Sequence, residues 1–272
     1  MDSFKVVFKK VLRDNLRVEF LLMYLGIVLA PLLMFSLLSE EAKVFANLSL
    51  ELKLEYLTGF FLLFSFVWIC GIGLIMLSVA ICSGFVAEEI ENRTLLMIVS
   101  KPIKRSQFII SKFLAFVVVA VVFVVASLFA SIYLWASMFN LDVFSLIRFF
   151  YLLLPLSMYS IFIILMFGSM SAAVSVIFSS RIKSIVMMVT LILLTFFVYA
   201  QIRGVARSLG VYEKYYLDFL DLGYDLGNVY ITLLSKTRVK LVPPVQSIIG
   251  MFTGTYEIPR TCLLYTSPSP RD

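Results

Sequence analysis

The stretch YLTGFFLLFSFVWICGIGLIMLSVAICSGFVA, Tyr56 to Ala87, runs for 32 residues without an Asp, Glu, Lys or Arg. A helix needs about 20 apolar residues to cross a bilayer. The stretch therefore predicts a membrane-spanning helix with length to spare, and tilt or extension past the hydrocarbon layer takes up the excess. Four further stretches are equally free of charge and long enough to span: Phe20–Ser39, Phe113–Leu141, Phe149–Ser180 and Ser184–Ile202. The expected fold is an all-α integral membrane protein, a bundle of at least five transmembrane helices over residues 20–202. Pro31 and Pro155 lie inside spans, where neighbouring helices can satisfy the backbone groups a kink releases.

Composition agrees. Apolar residues make up 61% and charged residues 15% of the chain, and the mean hydropathy is +1.02. A soluble domain is about a quarter charged, so lipid is the main solvent of this chain. The net charge of +6 does not point to nucleic acid, because the charges gather at the ends of the apolar runs, as surface anchors do. There is no histidine, which removes the commonest proton shuttle and metal ligand. Cys70 and Cys82 fall about a third of a turn out of phase on one helix, and read as small packing residues. Small residues also recur at Gly71, Gly73, Ser78, Ala80, Ser83 and Gly84, and at Gly168, Ser169, Ser171, Ala172, Ala173 and Ser175. They let helix backbones approach closely; the sharper alternative is that these faces slide during a transport cycle.

Outside the spans, Met1–Glu19 predicts an amphipathic helix in the headgroup plane, with Phe4, Val7, Phe8, Val11 and Leu12 opposite Lys5, Lys9, Arg13 and Arg17. With the N-terminus in the cytoplasm, the inner segments carry Lys5, Lys9, Lys10, Arg13, Arg17, Arg93, Lys101, Lys104, Arg105, Lys112, Arg181 and Lys183. The short outer loops carry only Lys43, Lys53 and Arg148. Inner loops are the richer in Lys and Arg, so a cytoplasmic N-terminus in a cell membrane is expected, with residues 203–261 extracytoplasmic. In that segment Asp218, Asp221 and Asp225 read as one solvated helical face, with a cation site as the rival. Pro243 and Pro244 precede an apolar run, Val245–Thr255, too short to span. The last residues, 262–272, read CLLYTSPSPRD, which resembles a translated sequencing adapter (TGT CTC TTA TAC ACA TCT encodes CLLYTS), and are set aside with the expectation that natural sequence continues past Thr261.

The loop between the second and third spans carries the most specific information: EEIENRTLLMIVSKPIKRSQFIISKF, Glu88 to Phe113. Glu88, Glu89 and Glu91 stand where a helix would begin and suit the positive end of its dipole. The helix is expected to stop before Pro102, which disfavours a helical Lys101. Between them Leu95–Val99 is apolar but too short to span. At about 25 cal/mol per Å², leaving its Leu, Ile and Met side chains wet would cost several kcal/mol. Either the end of the bundle or a partner protein covers them.

This loop resembles that of the permease subunits of type-2 ABC transporters. The resemblance is carried by the acidic start, Thr94-Leu95, Ser100-Lys101-Pro102-Ile103, Arg105 and Lys112, with Ser179-Ser180-Arg181 after the fourth span. It covers most of Met1–Thr261. In that family the loop lies between the second and third of six spans and forms a coupling helix that docks into a separate ATPase. The resemblance implies a six-helix bundle with the sixth span beyond the five seen here. It also implies coupling through Glu88, Glu89, Glu91, Thr94, Leu95, Met97, Ile98, Lys101, Pro102, Arg105 and Lys112, and two partners, an ABC ATPase subunit and a second permease chain. The family often has Gly before the Thr, where this chain has Arg93.

No GxxxxGK[ST] loop occurs, so ATP is expected on the partner, with neither cofactor nor enzymatic activity in this chain. The uncharged spans argue against proton or sodium coupling, which commonly places ionisable residues there. An intramembrane metalloprotease would need histidine, and an intramembrane serine protease a buried base. A non-transporting scaffold or assembly factor is the remaining alternative.

Overall fold

The computed structural model describes residues 50–93, 105–139, 141–237 and 243–254, with 8–9, 11–13, 20, 22–26 and 28–29 from the first part of the chain. Among these residues every regular element is a helix. Most of the expected interfacial helix, the first span beyond Leu29, and residues 262–272 lie outside the described residues.

Four helices among the described residues are long and apolar enough to cross a membrane: Glu51–Glu91, Ser106–Phe139, Ser145–Ile177 and Arg181–Ser208. They match the second to fifth spans read from the sequence, with shifted ends. The first of them is composite. Helix α1 (Leu50–Phe64) passes through a π-helical stretch, Ser65–Gly73, into α2 (Leu74–Cys82), and after a turn the short α3 (Ala87–Glu91) follows. In the π stretch a Cβ on Gly71 would lie 2.8 Å from the Phe66 carbonyl oxygen, and one on Gly73 2.8 Å from that of Trp68. Both contacts are to the backbone five residues earlier, so these glycines make the wide turn possible.

Helix α4 spans Arg105–Phe139 and α5 spans Val143–Ile177. At 1.5 Å per residue each is about 52 Å long, well beyond the hydrocarbon thickness of about 30 Å. Charge-free length therefore understates both helices. Once nucleated, a helix adds polar residues at its ends cheaply, so Arg105–Lys112, read as loop, form the first two turns of α4. Pro155 sits inside α5. The fifth span begins as α6 (Arg181–Leu193), passes a second π stretch at Leu194–Val198, and continues as α7 (Tyr199–Ser208). It lies at the periphery: 6% of its apolar window is buried, against 44–56% in the other three.

The core is aromatic and aliphatic. Phe61 meets Phe149 edge-on at 5.3 Å and Trp135 at 6.1 Å, which locks α1 against α4 and α5. Tyr24, fully buried, lies 3.3 Å from the Ser127 hydroxyl and stacks on Phe123, bringing the first span against α4. Where α4 and α5 cross, a Cβ on Gly168 would meet the Phe116 ring at 2.7 Å. Gly168, Ser171 and Ser175 share the buried face of α5, whereas Ser169 and Ala173 are exposed. The packing reading of the small residues holds for the first three.

Beyond α7 come the short α8 (Val211–Lys214), a 3-10 turn (Leu217–Leu220), α9 (Leu222–Ser235) and α10 (Pro243–Thr253). Helix α9 buries Gly223, Leu226, Gly227, Tyr230 and Leu234, a helical periodicity facing one side. Its Tyr230 hydroxyl donates to the Leu62 carbonyl at 2.8 Å, and its ring lies 4.6 Å from Phe66 and 5.0 Å from Tyr159. The pair α9–α10 is thus seated on the Leu62 end of the bundle. Helix α10 starts on Pro243, whose missing N–H costs nothing in the first turn.

Candidate functional site

Helix α3 is the place where the acidic sequence Glu88–Glu91 meets the rest of the molecule. Its start depends on Val86, whose backbone N–H donates to the Ser175 hydroxyl of α5 at 2.9 Å. From there three carboxylates reach Lys112 and the Ser180–Arg181 start of α6. Glu89 accepts from the Lys112 ammonium at 2.9 Å; the same ammonium donates to the Phe85 carbonyl at 2.8 Å and sits 4.7 Å above the Phe108 ring. The Lys112 side chain is only 12% exposed, so it is a held charge inside a joint, and α4 is tied to the end of α2 through it.

The other two carboxylates hold the beginning of α6. Glu91 accepts from the Arg181 backbone N–H at 3.1 Å, with the Ser180 hydroxyl at 3.4 Å. Ser180 occupies the N-cap position but makes no capping bond itself. Glu91 supplies it from another helix, satisfying an orphan N–H at the positive end of the dipole. Glu88 pairs with the Arg181 guanidinium at 3.4 Å, and that guanidinium also donates to the Ala80 carbonyl at 2.9 Å. A Cβ on Gly84 would fall 2.8 Å from the Glu88 carboxylate, so glycine makes room for this pair.

The acidic start therefore does more than suit a helix dipole. Helix α3 is five residues long and ends at Glu91, earlier than the expected stop before Pro102. Asn92 caps it, and Arg93 follows at φ 56, the left-handed conformation that usually ends a helix on glycine. The position where the resembled family often has Gly is thus one whose backbone favours Gly. Of the expected coupling residues the structure brings together Glu88, Glu89, Glu91 and Lys112. Arg105 is the first residue of α4. Thr94, Leu95, Met97, Ile98, Lys101 and Pro102 lie outside the described residues. Ser175 was absent from the expected set. Arg181, read as an anchor, is the hub of the joint, and its place between two spans only four residues apart was the available signal.

A second charged knot forms at the opposite end of the fifth span. Arg203 lies 22 residues beyond Arg181, about 33 Å along a helix. Its guanidinium makes a two-pronged bond to Asp221, with one arm at 2.8 Å, and the side chains are 5% and 0% exposed. Asp221 also accepts the Tyr212 hydroxyl at 2.9 Å and the Tyr224 backbone N–H at 3.0 Å, capping α9. Burial, and then the bond to this carboxylate, push the Tyr212 hydroxyl well above its ordinary pKa, so it remains a donor. Arg207 donates to the Gly254 carbonyl at 2.9 Å with its guanidinium 4.8 Å from the Tyr212 ring.

The solvated-face reading of Asp218, Asp221 and Asp225 is overturned here. Asp218 belongs to the 3-10 turn, Asp221 is the buried cap, and Asp225 is exposed in the first turn of α9. A helix start at Asp221 breaks the supposed face, because an Asp carboxylate bonds the N–H three residues on. The helix of the fifth span also runs past Ile202, so its outermost turns do carry charge, Arg203 and Arg207. Among the described residues no three His, Cys, Asp or Glu side chains come together as metal ligands.

The sequence pattern of one family, described as ABC-2 family transporter protein, matches residues 18–236. The chain belongs to that family. No curated protein and no solved structure matches it. An ABC-2 family membrane protein is a membrane-embedded transporter component, and the four apolar spans make this one a multi-pass member.

Proposed function

We propose that this ABC-2 protein is the permease subunit of an ATP-driven exporter in the cell membrane, coupled through residues 88–112 to a separate ABC ATPase and paired with a second permease chain. ATP is bound and hydrolysed on the ATPase subunit; this chain is no enzyme and holds no cofactor. The N-terminus and the Glu88 joint face the cytoplasm, and the Asp221 knot faces outward.

The observation that carries this reading is the joint itself. Force applied to the loop after Glu91 reaches α2 through α3, α4 through Glu89–Lys112, and α6 through Glu88 and Glu91 on Arg181. A loop whose root is clamped to three helices is built to move them together. The absence of a GxxxxGK[ST] loop from the sequence supports a separate ATPase.

The test replaces Leu95, Met97 and Ile98 with Ser. These residues lie outside the spans, so insertion is expected to be unchanged. Capture of the ATPase should fall, because the apolar centre of an interface usually dominates its binding. The measurement is co-purification of the ATPase with wild-type and triple-Ser permease at matched expression. Equal capture would favour the non-transporting scaffold.

A further inference from the structure

The surface of the bundle changes character at one depth. On α4 every exposed residue from Leu114 to Ala130 is apolar, and the next two exposed residues are Tyr133 and Ser137. On α5, Tyr151 follows Arg148 by one turn, and every exposed residue from Leu154 to Leu165 is again apolar. Tyr133 lies six residues before the end of α4 and Tyr151 eight after the start of α5. They therefore stand about 9 and 12 Å from the turn that joins the two helices, at nearly one level. Both are strongly exposed, at 74% and 73%. The other exposed tyrosines among the described residues are Tyr215 and Tyr216. They follow Tyr212 of the Asp221 knot by three and four residues. All four belong to the end of the molecule opposite the Glu88 joint.

We propose that Tyr133, Tyr151, Tyr215 and Tyr216 form a belt seated among phospholipid headgroups on the side opposite the joint, and that this belt fixes the depth of the bundle. A tyrosine ring suits that zone because its body is apolar and its hydroxyl can bond the polar layer. Basic groups stand where lipid phosphates would be. Arg148 lies one turn above Tyr151, and the Lys214 ammonium is 5.7 Å from the centre of the Tyr215 ring. Helix length supports the same level. Twenty residues separate Tyr133 from Phe113, and twenty separate Tyr151 from Ser171. That is about 30 Å of helix, the thickness of the hydrocarbon layer. Phe113 adjoins Lys112 of the joint, and Ser171 stands one turn before Ser175, which holds the Val86 N–H. On both helices the hydrocarbon thus ends where the joint begins. Twenty residues also separate Lys183 from Arg203 on the fifth span. The tip of the α4–α5 hairpin, Ile147 included, then stands in water.

The test uses the full chain in vesicles of phosphatidylcholine and phosphatidylglycerol, without an ATPase, so it is independent of ATPase capture. Cys262→Ser leaves buried Cys70 and Cys82 as the native thiols. A nitroxide on one introduced cysteine reports its depth by collision with oxygen, which gathers in hydrocarbon, and with a nickel chelate, which stays in water. Nitroxides at Tyr133→Cys, Tyr151→Cys and Tyr215→Cys should all read headgroup level. Met158→Cys should read about 10 Å deeper, since it lies seven residues further along α5. Ile147→Cys should collide mainly with nickel. The double change Tyr133→Leu with Tyr151→Leu should let the hairpin settle, lowering nickel access at Ile147→Cys severalfold, and Tyr133→Trp with Tyr151→Trp should keep it high. Because both tyrosines are exposed, neither change disturbs the core. Hydrocarbon depth for Ile147→Cys in the otherwise unchanged chain overturns the proposal. So does unchanged nickel access in the double Leu variant. Shielding of the Tyr133 and Tyr151 positions from both collision partners would assign that face to a second copy of the chain, and equally overturns it.

Discussion

Arg93 shows how much a single backbone angle can decide. Its φ of 56 costs a residue with a Cβ about 1–2 kcal/mol relative to right-handed geometry, whereas glycine adopts it freely. Glycine also gains entropy in the unfolded chain, which offsets part of the relief. Arg93→Gly is therefore expected to stabilise the protein in detergent by up to about 1 kcal/mol, read as a modest rise in Tm. A fall in Tm would mean that the arginine side chain contributes more than its backbone costs. The residue type at this position was readable; its angle was not. The same holds for the acidic run. Sequence placed Glu88, Glu89 and Glu91 at a helix start, but the partners Lys112 and Arg181 are 23 and 93 residues away along the chain. Asp221 was misread for the mirror reason. On an outer segment an aspartate is normally solvated, and nothing local in sequence announces that Arg203 stands 18 residues upstream with its charge buried.

At the scale of elements, charge-free length located each described span but not its ends, because helices propagate into charged turns that lie beyond the hydrocarbon. The π stretches left no clear signature except Gly71 and Gly73, which also suit ordinary close packing. Crossings between elements were legible only as small residues, and the structure ranks them. At Gly227 an added Cβ would meet the Thr253 Cβ at 2.5 Å, next to the backbone of α10. At Gly168 it would meet the edge of the Phe116 ring, at 2.7 Å. A ring edge can swing by a few tenths of an ångström, and a Cβ can move only with its helix. Gly227→Ala should therefore cost more than Gly168→Ala, within the usual overpacking range of about 1–3 kcal/mol. Thermal unfolding of the two variants in the same detergent gives the order, and the reverse order would place the tighter crossing between α4 and α5.

For the whole molecule, the two knots define its ends. Arg181 and Ser208 bound one helix of 28 residues, about 42 Å at 1.5 Å per residue, which exceeds the hydrocarbon thickness of about 30 Å. In the proposed arrangement the Glu88 joint and the Asp221 knot therefore belong to opposite faces of the membrane. The proposed orientation rests on charge. With the Glu88 end inside, the inner segments carry twelve Lys and Arg against three in the short outer loops, a bias that sets orientation when loops are short. Ser106, in the first turn of α4, and Ser208, in the last turn of α7, are both exposed, so each can report its side as a cysteine. In intact cells an impermeant maleimide should label Ser208→Cys and leave Ser106→Cys unmodified until the membrane is opened; buried Cys70 and Cys82 contribute no background. Labelling of Ser106→Cys alone would invert the protein and place the joint where no cytoplasmic ATPase could reach it. Labelling of both would mean that Arg181–Ser208 does not cross the bilayer, which would remove the permease reading.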